Sequence, residues 1–311
     1  MKMKFDVVSF GSAVVDVFIQ TDVSEKKGFM YYPIGEKILI KELRFDVGGA
    51  GTNTSVAFSR LGLRAGCICE FGDDENGRRI KSLLKKEKVK FLGKTVRGEL
   101  TGYSVILDSK GGDRTILTYK GANDEVSLRD ISKFNTKWLY FGSLLGKSFE
   151  TQKQLAIKLK KKKGIKLAYN PSSYQIKAMN ITSLLKITDI LVVNKEEAEM
   201  LLKRYKPKEK DLLLGLHKIT KGIIVITDRD RPTLCYDGNR KYSIKPHKEI
   251  KVVERTGAGD AFASGFVAGQ IAGKSITRSL ELGIKNSEAV IQNFGAKTNL
   301  IRMKLKQREQ L

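Results

Sequence analysis

The sequence predicts an α/β fold with a mostly parallel central sheet, helices on both faces and a small β-sheet subdomain over its edge. Three observations carry this. Apolar runs of strand length alternate with amphipathic helical stretches along most of the chain. Those runs are apolar at nearly every position, as strands covered on both faces are. The rhythm breaks at 14–46 and 95–122, where short alternating segments and glycine turns take over.

The elements follow in order. Phe5–Phe10 (FDVVSF), Gly66–Phe71 (GCICEF), Trp138–Phe141 (WLYF), Ile165–Tyr169 (IKLAY), Ile190–Asn194 (ILVVN) and Gly222–Thr227 (GIIVIT) read as buried strands. Helical segments are expected near 53–62, 76–88, 150–163, 196–218, 260–272 and 275–293. Strand followed by helix, repeated, is the βαβ rhythm of a parallel sheet. In the second irregular region, Gly98, Gly102 and the turn at 109–112 shape TGYSVILDSKGGDRTILTYKG as a hairpin. With no repeat, no low-complexity linker and only five prolines, the chain reads as one domain over 1–311.

Composition removes several function classes. The chain has 311 residues and 41% hydrophobic residues, enough for a packed core without disulfide or metal staples. The longest stretches without a charge, Val47–Ser59 and Ala261–Gly273, fall short of the roughly 20 residues a membrane helix needs, so no membrane partner is expected. The start, MKMKFDVV, lacks a signal-peptide core. Three cysteines and two histidines suit neither a disulfide framework nor a zinc site, and a cytoplasmic setting is expected. Lys+Arg number 58 against 34 Asp+Glu, a net charge of +24. These cations are scattered over 81–90, 158–164, 203–210 and the tail from Arg302 to Arg308. They read as solvated helix faces, and with almost no aromatic residues among them no specific nucleic-acid partner is expected.

Two glycine-rich turns carry the chemistry. Thr256-Gly257-Ala258-Gly259-Asp260 opens an apolar helix. Amides at a helix start lack intrahelical partners and meet anions well, and Asp260 in the first turn can take a proton beside them. Such parts serve phosphoryl transfer; an N-capped helix with an acidic first turn has the same pattern. The second turn, Gly48-Gly49-Ala50-Gly51-Thr52-Asn53, leads into TSVAFSRLG, where Asn53 could hydrogen-bond a sugar hydroxyl. Gly142–Ser148 and Gly269–Ser275 imitate a P-loop but carry three residues between their glycines where four are needed. Neither Gly49-x-Gly51 nor Gly257-x-Gly259 completes a dinucleotide-binding GxGxxG.

The pair GGAGTNTSVAFSRLG (48–62) and RTGAGDAFASGF (255–266) resembles the two signatures of the PfkB/ribokinase family of carbohydrate kinases. The resemblance runs over nearly the whole chain: Gly11-Ser12 with Asp16, GDDENGRRI (72–80), the hairpin ending in Gly121-Ala122-Asn123, Asn170-Pro171, the NxxE motif from Asn194 to Glu197, and NSEAVIQNFGAKTNL (286–300). It implies a ribokinase-like fold whose β-lid comes from about 14–46 and 95–122. It implies an ATP-dependent kinase acting on a hydroxyl of a small unphosphorylated sugar, ribose- or fructose-like. A nucleoside such as adenosine is the alternative substrate, with Phe18, Tyr31 or Tyr119 as a wall for the base.

The roles it implies are these. Asp260 is the catalytic base, and the amides of Gly257, Ala258 and Gly259 form the anion hole. Asp16, Gly48, Gly49, Asn53, Arg114 and Asn123 face the substrate. Asn194, Glu197, Thr227, Arg229, Asn286 and Asn293 join Gly257 and Gly259 on the nucleotide side, with Glu197 reaching Mg2+ through water. Homodimerisation through the lid is a further implication. Two departures stand out: the glycine-free loop Asp228-Arg229-Asp230-Arg231 where the family often has TxGxxG, and Glu254-Arg255 where it often has Asp-Thr, the Asp serving a monovalent cation such as K+ in several members. A basic nucleic-acid-binding protein with a kinase-like fold and no catalysis is the alternative from another class. The presence of Asp260, Asn194 and Glu197 argues against it.

Overall fold

The structure, a computed structural model, describes residues 3–110, 114–162, 164–247 and 249–305. Residues 111–112 of the expected hairpin turn and the end of the basic tail lie outside the described residues.

In chain order the principal strands are β1 (Val7–Phe10), β2 (Val14–Gln20), β3 (Glu42–Gly48), β4 (Ala65–Ile68), β5 (Lys90–Phe91), β6 (Gly102–Asp108), β7 (Arg114–Tyr119), β8 (Trp138–Phe141), β9 (Lys166–Tyr169), β10 (Ile190–Asn194), β11 (Ile223–Thr227), β12 (Thr233–Tyr236) and β13 (Lys241–Ile244). The main helices are α1 (Ala50–Arg60), α2 (Glu75–Lys86), α3 (Gly146–Lys160), α4 (Lys195–Tyr205), α5 (Leu212–Thr220), α6 (Ala258–Ile271) and α7 (Ile276–Ile291). Shorter helices at Ser173–Ala178 and Thr182–Ile187 fill the passage from β9 to β10.

The apolar runs form the middle of a nine-stranded sheet ordered β13-β12-β11-β10-β9-β8-β1-β4-β5. All pairs from β11 to β5 are parallel, and β12 and β13 extend the sheet antiparallel. Alternate residues of each strand point to opposite faces. Tyr140 and Val192 enter one core with Phe58, Phe262 and Phe266 from α1 and α6. Leu139, Phe141 and Val193 enter the other with Phe149, Leu201 and Leu216 from α3, α4 and α5. This is why the strands read as continuous apolar runs.

The sequence expectation fails at two connections. The single helix expected over 196–218 is two, α4 and α5. Lys206 takes a left-handed φ of 44° as the cap of α4, and Pro207 cannot continue the helix, because its ring clashes with the preceding turn and it has no N–H to donate. Thr95 and Val96, expected in the lid, pair with Phe71 and Gly72 at the edge of the body, because the chain turns up into the lid only later.

The lid is a four-stranded sheet ordered β7-β6-β2-β3. Its centre is parallel (β6 with β2) and its outer pairs are antiparallel. One register row holds Ser104, Asp16 and Asp46 side by side. All six residues of β7 are exposed. Under the lid, Phe18 packs edge-on against Phe294 from the chain beyond α7 at 4.4 Å.

Candidate active site

Three elements deliver the central residues. β2 carries Asp16 in the middle of the lid. β3 descends from the lid and ends at Gly48, which lies against Asp16; a Cβ there would collide with the Asp16 carboxylate. Gly49 then caps α1, which brings Asn53 into its first turn beneath the lid. Facing it, α6 starts at the Gly257 cap with Asp260 in its first turn. Asn53 Nδ2 donates to Asp260 Oδ2 at 2.8 Å, joining residues 207 positions apart. The two glycine turns found in the sequence therefore converge on one point.

A residue not singled out from the sequence completes this centre. Lys297 is 4% exposed. Its Nζ donates to Val47 O and to Asn53 Oδ1. Its charge acts on Asp46, Asp16 and Asp260, which together outnumber it three to one. Asp46 in turn accepts from Ala296 N at 3.2 Å and from Val47 N at 2.8 Å. The backbone of Lys297 is gripped as well, for Arg60 at the end of α1 donates to Lys297 O while pairing with Glu87. A signal for Lys297 exists in the sequence: it is the only charged residue between Glu288 and Arg302.

Burial dominates the electrostatics. Asp260 is partly exposed as a residue. Even so, burial of its carboxyl pushes its pKa above the ordinary carboxylate value, and the Asn53 hydrogen bond and the Lys297 charge work against that rise. Asp16 is raised for the same reason, opposed by a hydrogen bond from Ser104 and by Lys297. Lys297 is pushed down by burial, with the carboxylates around it pulling it back up.

The start of α6 is open to an anion. Gly257 adopts a left-handed φ of 78°, and a Cβ on it would sit 2.5 Å from Ala296 Cβ; only glycine suits both conditions. No side chain caps this helix. Of the three amides expected to form an anion hole, Ala258 N–H already donates to Arg255 O at 3.2 Å. Just before the turn, Glu254 accepts from Thr256 N and from Thr256 Oγ1, both at 2.8 Å. Arg114 reaches down from β7 to the same carboxylate, and also donates to Thr256 Oγ1 at 2.9 Å. The lid is thereby tied to the turn that opens α6, and the Arg114 guanidinium is engaged in that tie.

Asn123 is engaged by backbone: it accepts from Ala13 N at 2.7 Å and donates to Ala13 O and Lys120 O, both at 2.9 Å. It fixes the turn that leads into β2. Asn286 similarly donates to Ala261 O at 2.7 Å and accepts from Ile301 N at 3.1 Å, tying α7 to α6 and the segment after it. Asn293 is partly buried in the stretch that follows α7.

Asn194, Glu197, Thr227 and Arg229 form a second group at the ends of β10 and β11, where Asn194 and Thr227 are register partners. Asn194 and Glu197 make a reciprocal capping box: Glu197 N donates to Asn194 Oδ1 at 2.8 Å, and Asn194 N donates to Glu197 Oε2 at 2.9 Å. Burial raises the Glu197 carboxyl to about 7. In the glycine-free loop, Arg229 takes a left-handed φ of 49° and pairs with Glu196 at 3.5 Å, and Lys195 pairs with Asp228 at 3.7 Å. The loop is laid onto the start of α4 by charge. The two groups are neighbours, since Asp260 and Glu197 both act on the buried Tyr140 hydroxyl. Chemically, the first group offers an enclosed carboxylate beside the uncapped start of α6, with polar side chains above.

The sequence profile described as pfkB family carbohydrate kinase matches residues 4–302. Probable fructokinase-5 of Arabidopsis thaliana is 27% identical over 280 residues, covering 84% of this chain and 81% of that protein. Among solved structures, the ribokinase of Cryptococcus neoformans in complex with ADP superposes with a TM-score of 0.77 at 22% identity, covering 97% of each chain. The adenosine kinase of Sinorhizobium meliloti gives a TM-score of 0.78 at 21% identity, covering 96% of this chain and 97% of that one.

Proposed function

The chain belongs to the pfkB family of carbohydrate kinases, and from that premise we propose that it is an ATP-dependent kinase moving the γ-phosphoryl group to a hydroxyl of a small unphosphorylated sugar, ribose- or fructose-like. The observation that carries the proposal is the meeting of Asp16, Asn53 and Asp260 at the open start of α6. Asp16 and Asn53 hold sugar hydroxyls with Gly48 and Gly49 allowing close approach. Asp260 accepts the proton of the attacking hydroxyl. The amides of Gly257 and Gly259 meet the phosphoryl oxygens as charge builds on them. The lid, tied down through Arg114, keeps water out. Three carboxylates around one ammonium repel a substrate that already bears a phosphate and suit a neutral polyol.

The nucleotide lies toward Asn194, Glu197, Thr227 and Arg229 in this reading, with Asn286 and Asn293 supporting that side. Among the described residues no group of three His, Cys, Asp or Glu side chains could cage a metal. Mg2+ would therefore be carried by the ATP phosphates and water, as it prefers, with Glu197 as a water-mediated contact; its role is to neutralise phosphate charge. The residues do not fit a bound K+ at Glu254, because the Arg114 guanidinium and Thr256 already occupy its carboxylate. Free buried Cys67, Cys69 and Cys235 support a reducing, cytoplasmic setting. The bare edge of β7 supports a homodimer paired through the lid.

A panel of neutral sugars, sugar phosphates, sugar acids and nucleosides, assayed for ATP consumption with Mg2+, tests the reading. Turnover is expected with a neutral pentose or hexose. Turnover with nucleosides alone would transfer the assignment to a nucleoside kinase. Of the three candidate walls for a base, Phe18 packs on Phe294, while Tyr31 and Tyr119 are exposed.

A further inference from the structure

We propose that Lys297 is a positioning residue of the phosphoryl-transfer site: its ammonium fixes the Asn53 amide in the one orientation that donates to Asp260, and supplies the single positive charge inside the carboxylate cluster. The inference rests on the kinase reading for its purpose, but its geometry stands apart from it. A lysine ammonium has donors only. The Asn53 atom it touches must therefore be the carbonyl oxygen, which turns the NH2 group toward the Asp260 carboxylate. With an uncharged side chain at 297, the amide could turn over once Asp260 is protonated, its oxygen accepting from the carboxylic O–H, which would favour the protonated acid.

The groups facing Asp260 come from four elements: Lys297 from the segment after α7, Asn53, which donates from α1, the Asp16 carboxyl from β2 and the Tyr140 hydroxyl from β8. Asp16 from β2 and Asp46 from β3 surround Lys297 itself, with Arg60 from α1 near its far side. Burial disfavours an ionised Asp260, and the Asn53 hydrogen bond and Lys297 are what oppose it. A base must be ionised to accept a proton, so Lys297 extends the working range of Asp260 toward lower pH.

The test compares wild type, Lys297→Met and Lys297→Met/Asp46→Asn, the double variant removing a carboxylate together with the ammonium. The Asp260 carboxyl is titrated by carbon NMR, assigned by difference from Asp260→Asn, and the pH dependence of kcat is recorded for the sugar found active. Removing Lys297 is expected to move the Asp260 titration and the acid limb of kcat upward together by about one pH unit, with kcat falling by up to about tenfold on that acid limb while KM changes less. Folded variants with an unmoved titration would overturn the proposal. So would collapse of both variants, which would make Lys297 a folding residue. If the wild type phosphorylates nothing, the kinase reading fails while the NMR titration still decides this one.

Discussion

At the residue scale, the site depends on carboxyls held where water is scarce. Asp260→Asn keeps the shape and removes the base. Turnover is expected to fall by about 10²–10⁴-fold, with the melting temperature unchanged or raised, since a buried carboxylate is no longer strained by desolvation. Wild-type turnover in a folded variant would remove Asp260 from the mechanism. Glu197 gives a test of stability. Its folded pKa of about 7 lies above the ordinary 4.5, so the folded chain holds this proton more tightly than the unfolded chain does. Its contribution is full below the unfolded value and is lost as pH rises through about 7. Glu197→Gln keeps an acceptor for Asn194 N–H and removes the ionisation. The variant is expected to melt higher than wild type at pH above 7 and to converge with it toward pH 4, read by thermal melts across pH.

At the element scale, two helix starts and one lid strand have to agree. The tie between Arg114 on β7 and Glu254 before α6 is part-exposed, with side-chain exposures of 31% and 11%, and such pairs are worth at most about 1 kcal/mol. Glu254→Gln should therefore loosen the lid without unfolding it. The sugar KM is expected to rise about fivefold or less, and proteolysis within the lid should quicken. An unchanged KM with unchanged proteolysis would show that the lid is held by other means. This scale also shows what the sequence revealed. Asn53 and Asp260 were legible as candidates because each sits beside glycines in a stretch of little charge, whereas Asp16, flanked by valines, was picked out only through the family resemblance. The roles of Asn123 and Asn286 were not, because an asparagine that binds backbone reads the same as one that binds substrate. Lys297 was hidden among 58 basic residues, and the fold shows it buried and turned toward Asn53. The break at Lys206 was marked by Pro207, yet the apolar period on both sides continued across it. The β12–β13 extension was missed because its strands are four residues each and mix exposed with buried positions.

At the scale of the whole molecule, charge is divided between surface and site. The chain carries +24, while its centre holds three carboxylates around one lysine. A positive exterior draws an anionic nucleotide inward over distances comparable to the Debye length, roughly 10 Å at moderate salt. Raising ionic strength with sodium or choline chloride is expected to increase KM for ATP and leave kcat nearly constant; a fall in kcat alone would assign the surface charge another purpose. The hydrogen bond from Lys297 to Asn53 spans 244 residues of sequence. During synthesis, a ribosome that has released the whole parallel sheet and both glycine turns has still not released this lysine. Long-range closure of this kind is slow to form, so the pairing of Lys297 with α1 is expected to lag behind the local helices and turns it joins.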